Sequence, residues 1–195
     1  MSRGKMEMMA RLPSPLHAQR GTTLLEVLVT IVILASGLLG LAGLQARLQS
    51  SEMEAYQRSQ ALILLNDMAS RISSNRVNAG SYVTGTTTPL GGTAACPATT
   101  ATRQQIDAGE WCDALQGAAE TTGGGNVGAM VGGRGCVEDL GSNEYLITVA
   151  WQGMTPISAP AAACGAGSYD GGTACAGDLC RRTVTTIVRI GDLSS

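Results

Sequence analysis

Phenylalanine is absent from this 195-residue chain, and histidine and lysine occur once each, as His17 and Lys5. Beyond Gly21 there is neither histidine nor lysine. That removes Ser-His and Cys-His nucleophile pairs, histidine metal sites and lysine-based covalent chemistry. A carboxylate pair such as Glu138/Asp139 remains for an anchored enzyme, but adjacent acids ordinarily form a solvated turn. The formal net charge is only −2, so no basic field points to nucleic acid. No D-x-D-x-D-G run occurs, and no metal or other cofactor is expected. Gly123-Gly124-Gly125-Asn126 and Gly132-Gly133-Arg134-Gly135 lack the Gly-Lys-Ser/Thr of a phosphate loop and read as ordinary loops.

What is present is unevenly distributed. Before Thr22 the ionisable residues are mostly cationic: Arg3, Lys5, Glu7, Arg11, His17 and Arg20. From Tyr82 onward acids outnumber bases. Between them, Thr22 to Leu44 is an apolar run of about 23 residues, enough to cross a bilayer as a helix. A cationic end before such a run keeps the N-terminus cytoplasmic and sends the remainder across. A signal anchor or uncleaved signal peptide would have the same outline, and Ala42–Ala46 is a weak small-x-small site. Neither accounts for Glu26, the only ionisable residue in the run. A carboxylate in lipid is costly and by default a functional candidate; its other explanation is solvation at the nearby interface.

The helical pattern continues past the run. Leu41, Leu44, Leu48, Ala55, Leu62, Leu65, Ala69 and Ile72 recur at helical spacing, and polar residues fill the opposite face. Breakers arrive at Asn75, Asn78 and Gly80. The spacing predicts one helix from Thr22 to about Asn75, with a Leu62/Leu65/Ala69/Ile72 stripe for a sheet to cover. Gly37, Gly40 and Gly43 read either as a close-approach or melting point or as ordinary transmembrane glycines.

Thr84–Thr102 and Thr121–Gly135 read as loops, and Gln104–Gln116 as a short helix. Glu144–Gln152 and Cys180–Ile190 alternate as strands, with Tyr145, Ile147, Val149 and Trp151 on one face of the first. A loop of about 27 residues joins them, long for a structureless connection, and a disulfide tie is expected there. Six cysteines, Cys96, Cys112, Cys136, Cys164, Cys175 and Cys180, all lie beyond the apolar run. An even count in an exported segment with a small core favours disulfides over zinc, since no C-x-x-C pair occurs. Six cysteines allow about 15 pairings, and the spacing does not choose among them.

The stretch Arg20-Gly21-Thr22-Thr23-Leu24-Leu25-Glu26-Val27 resembles the class III signal of type IV prepilins and pseudopilins. Gly21 matches the leader glycine and Glu26 the glutamate at the fifth position after it; Thr22 stands where many members have Phe. The leader is long, and Met6, Met8 and Met9 offer later starts. The resemblance implies cleavage between Gly21 and Thr22 by prepilin peptidase and methylation of the Thr22 amine. It also implies pairing of Glu26 with the Thr22 amine of a neighbouring subunit. The implied fold is an α+β pilin ladle: leader 1–21, transmembrane helix 22–47, amphipathic helix 48–77 and a disulfide-stabilised head 78–195 on a small antiparallel sheet.

Within that family the exit Asn75-Arg-Val-Asn-Ala-Gly-Ser-Tyr82 and the strand Tyr145-Leu-Ile-Thr-Val-Ala-Trp-Gln-Gly153 are most similar to PilV-type minor pilins. These imply a subunit that primes pilus assembly with other minor pilins and the major pilin on an inner-membrane platform. Its head would be periplasmic before assembly and near the pilus tip afterwards, with twitching motility and adhesion depending on it. A minor pseudopilin of type II secretion and a membrane-anchored sensor or stalk protein are the alternatives.

Overall fold

The computed structural model describes residues 21–98, 102–118 and 130–191, together with the backbone of 121–122 and 125–126. Leader residues 1–20 lie outside the described residues. The chain divides into two units, Met1–Gln45 and Ala46–Ser195. In the first, every described residue is exposed, from Leu24 at 84% to Leu44 at 55%. A helix apolar on all sides and covered by nothing is stable in lipid rather than water.

In the second unit the last part of α1 (Leu24–Ser74) forms one wall of the core. Ala61, Leu65, Met68 and Ile72 are buried, spaced four, three and four residues apart, as one helix face requires. The stripe is thus turned from the expected one. Leu62 is 42% exposed and Ala69 only packs at the margin, while Met68, whose flexible side chain fills irregular gaps, is fully enclosed. The α-helix ends at Ser74 and passes into a 3₁₀ helix, Arg76–Tyr82, that buries Ala79 and Tyr82.

The opposing wall is a four-stranded antiparallel sheet of order β1-β4-β5-β6, built from β1 (Leu90–Gly91), β4 (Arg134–Gly141), β5 (Glu144–Gln152) and β6 (Arg181–Arg189). A short hairpin, β2 (Thr121–Thr122) and β3 (Gly125–Asn126), stands apart. Helix α2 (Arg103–Leu115) starts in a capping box, with Thr102 accepting from the Gln105 amide and the Gln105 side chain accepting from the Thr102 amide. It buries Trp111 and Leu115 against the same core, and the Trp111 indole N–H donates to the Leu64 carbonyl of α1 at 2.9 Å.

The expected α2, β5 and β6 are present within a residue or two of their sequence bounds, and Tyr145, Ile147, Val149 and Trp151 all face the core. Strand β4 corrects the expected loop Thr121–Gly135 at its C-terminal end and extends to Gly141. Its glycines and acids have poor strand propensity, and pairing with β5 overrides that. The other face of β5 is also buried: Thr148 and Ala150 have 0% exposure. The connection 153–180 folds back over that face and places Cys164 and Tyr169 against Cys136 and Ala150.

One disulfide, Cys136–Cys164, and one arginine hold this cover in place. Cys136 in β4 bonds Cys164 in the connection, Cys96 bonds Cys112 on α2, and Cys175 bonds Cys180. Arg181, 4% exposed, donates to the carbonyls of Pro160, Ala162 and Cys164 and pairs with Asp178. A buried arginine is tolerable because its terminal Nη1 and Nη2 donors meet a fixed set of acceptors; its Nε has none among the described residues.

A polar cluster joins α1 to α2. Asp107, 1% exposed, accepts from Arg71 at 2.9 Å and the Tyr82 hydroxyl at 2.6 Å, and forms an ion pair with Arg103 at 3.0 Å. Burial alone would lower the Arg71 guanidinium; the carboxylates of Glu110, Asp67 and Asp107 outweigh it and hold it above its ordinary value. Burial, reinforced by the bond to Asp107, raises the Tyr82 phenol.

Candidate functional site: the N-terminal segment

The segment that carries the most specific sequence signal is Gly21 to Ser36. Gly21, Thr22 and Thr23 precede α1, which begins at Leu24. The Glu26 amide donates to the Thr23 carbonyl at 3.0 Å and to the Thr23 hydroxyl at 3.3 Å. Thr23 therefore caps the helix, and Glu26 occupies the third helical position. There a negative charge is favoured by the helix dipole. The signal was present in the sequence as Thr23-x-x-Glu26, half of a capping box, and the reading from composition and spacing missed it.

The two other polar side chains deeper in the run are neutralised within the helix. The Thr30 hydroxyl donates to the Val27 carbonyl at 2.8 Å and the Ser36 hydroxyl to the Val32 carbonyl at 2.9 Å. Such back-bonding lets hydroxyls sit in hydrocarbon at small cost. Glu26 has no equivalent. Among the described residues its carboxylate has neither a hydrogen-bond nor an ion-pair partner. One side chain in an otherwise self-satisfied span is left needing a cation or donor from outside it.

A peptide cut between Gly21 and Thr22 would free an amine four residues before this carboxylate, at the positively polarised end of the same helix. Both residues are exposed, as a protease requires. Gly37, Gly40 and Gly43 lie in unbroken helix, and a Cβ at any of them would meet nothing within 4 Å. Their face is open in the single chain. Among the described residues no cluster of three or more His, Cys, Asp or Glu is placed to hold a metal ion.

Residues 16–42 match the family described as the prokaryotic N-terminal methylation motif. No curated protein and no solved structure matches the chain. The match covers the stretch that contains Gly21, Thr22 and Glu26, and with the apolar helix and disulfide-tied head it fits a single-pass inner-membrane anchor. It also indicates a structural subunit rather than an enzyme. The chain carries the N-terminal methylation motif that indicates a type IV pilin or pseudopilin, on a pilin-like α+β fold.

Proposed function

We propose that this chain is a minor pilin of a type IV pilus. Prepilin peptidase removes residues 1–21 and methylates Thr22. The helix 22–47 then holds the subunit in the inner membrane, with amphipathic segment 48–77 and head 78–195 on the periplasmic side. With other minor pilins and the major pilin, the assembly platform draws it into a fibre at or near the tip. Pilus growth, and through it motility and adhesion, depends on that step.

The observation that carries the reading is the Glu26 carboxylate, without a partner among the described residues, in a span whose Thr30 and Ser36 hydroxyls are satisfied. A neighbour's Thr22 amine is the cation it lacks. Each charge is costly alone at low dielectric, and pairing them favours assembly and fixes axial register. The sequence stretches Asn75–Tyr82 and Tyr145–Gly153, which carry the PilV-type resemblance, favour a pilus over a pseudopilin.

The test compares Glu26→Ala with Thr23→Ala. The second removes the cap, worth about 1 kcal/mol, and keeps the carboxylate. Both variants insert in the membrane. Glu26→Ala falls at least about tenfold in fibres sheared from cells, the equivalent of 1.4 kcal/mol of lost pairing, and Thr23→Ala assembles near the wild-type level. Equal incorporation of Glu26→Ala and wild type contradicts the proposal.

A further inference from the structure

The four-stranded sheet has two edges, and they differ in cover. At the β4 edge, β1 pairs with Arg134 and Gly135. Beyond it the Val137 carbonyl accepts from the Thr84 and Gly85 amides, both at 3.0 Å, and the Val137 amide donates to the Thr84 hydroxyl at 3.1 Å. The β6 edge has no such cover among the described residues. The Gly153 amide donates to the Cys180 carbonyl and the Ile190 amide to the Asn143 carbonyl, one at each end of an unbroken β5–β6 register. An antiparallel ladder bonds alternate residues, so the even-numbered residues of β6 bond β5 and the odd-numbered ones point their backbone away. The amides and carbonyls of Thr183, Thr185, Ile187 and Arg189 have no hydrogen-bond partner among the described residues.

An open edge is a template for another strand, and exposed edges are ordinarily blunted by proline, a bulge or an unpaired charge. Strand β6 has none of these. Thr183-Val-Thr-Thr-Ile-Val188 is an uncharged, strongly strand-forming run in regular register. The arginines that flank it are neutralised, Arg182 by Glu54 at 2.9 Å and Arg189 by Glu144 at 2.7 Å. Apolar surface borders the edge on both faces. On the face of the odd-numbered side chains, Ile187 is 49% exposed. On the other face, Glu54 and Arg58 of α1 line one cleft with Arg182 and Thr183, and Leu62, four residues further along α1, is 42% exposed.

We infer that β6 receives an extended strand from a different protein, added to the sheet through the backbone of Thr183, Thr185, Ile187 and Arg189. Their donors and acceptors repeat at every second residue, about 7 Å apart, a spacing that another extended backbone matches. The incoming strand is apolar on both faces, with one set of side chains beside Ile187 and the other over Leu62. The symmetric dimer that an open edge invites is closed to this chain. Strand β6 runs in the same sense as α1: Arg182 lies against Glu54, and Tyr145, the partner of Val188, lies by Gly80. An antiparallel β6–β6 pair about a two-fold axis would turn one α1 end over end, and copies that enter a membrane by the same end of α1 cannot do that. The inference rests on the fibre-subunit reading for its unlike neighbour and adds the surface that holds that neighbour.

The test uses the full chain in the cells that make it. Residue-resolved hydrogen exchange compares chain extracted from membranes with chain in sheared fibres. In fibres the amides of Thr183, Thr185, Ile187 and Arg189 exchange at least about tenfold more slowly, while those of Val184, Thr186 and Val188, already bonded to β5, change little. Thr185→Pro removes one outward donor, leaves the β5 ladder intact and lowers incorporation at least about fivefold; Thr185→Ala, which keeps the donor, assembles like wild type. The wild-type exchange pattern decides the matter even if the proline variant does not fold. Unchanged exchange at the odd positions overturns the inference, as does wild-type incorporation of a folded Thr185→Pro. So does a benzophenone amino acid at position 185 that joins isotope-heavy to isotope-light copies of the chain. The N-terminal mass in the same fibres separates the two readings. A methylated Thr22 with unprotected odd amides removes only the strand contact, and a chain absent from fibres removes the fibre-subunit reading and the inference with it.

Discussion

Gly135 lies directly under the Trp111 ring: a Cβ on it would stand 2.1 Å from Trp111 Cη2 and 2.8 Å from Leu115 Cδ1. The glycine that gives β4 its poor strand propensity is what lets α2 press onto the sheet. Trp111 is fully buried and held by its bond to Leu64, so it cannot swing away. Gly135→Ala therefore destabilises the head by at least about 1–3 kcal/mol, the usual range for overpacking. Chemical denaturation monitored by tryptophan fluorescence measures it. An unchanged midpoint would mean that α2 is not seated as described.

The three disulfides differ in how much chain they close. Cys136–Cys164 spans 28 residues and pins the cover over β5, whereas Cys175–Cys180 spans 5. Loop-closure entropy gives about 3–4 kcal/mol for the first and about 2 kcal/mol for the second. Replacing Cys136 and Cys164 together with alanine lowers the thermal midpoint more than replacing Cys175 and Cys180, and exposes Tyr169. Proteolysis of the 153–180 connection increases in the first variant alone. The reverse order of stability would contradict the roles assigned to the two bridges.

Alkali weakens the head through two tyrosines. Burial raises the Tyr82 phenol, reinforced by Asp107; burial also raises that of Tyr169, against the opposing pull of Arg134. A raised folded value means that the native state keeps its proton where the unfolded chain loses it. The stabilisation is complete below about pH 10, the unfolded value, and is lost as pH rises through the folded one. Thermal midpoints measured between about pH 9 and pH 11 fall in the wild type. In Tyr82→Phe/Tyr169→Phe they start lower and fall less steeply. A steeper slope in the double variant would show that other groups govern the alkaline limb.

Much of this architecture is legible in the sequence because it rests on periodicity. The apolar run, α2, β5 and β6 have clean helical or alternating patterns, and Glu26 stands out by being the one charge in lipid. Elements set by tertiary contact are not legible. Strand β4 is written in glycine, cysteine and acid, and only its ladder with β5 makes it a strand. The burial of Thr148 and Ala150 depends on a connection whose composition reads as loop. Which cysteines meet depends on that same fold-back. At the functional segment, Glu26 is legible as the one charge in the apolar run, Gly21 and Thr22 rest on resemblance, and the capping by Thr23 lies in a four-residue pattern that hydrophobic periodicity does not reveal.

A fibre subunit of this kind is defined by the N-terminus of its processed form. Intact and peptide mass spectrometry of chain extracted from membranes is predicted to find Thr22 as the first residue, carrying one methyl group on its amine. A chain that still begins at Met1, or one cut after Ala46, would contradict it.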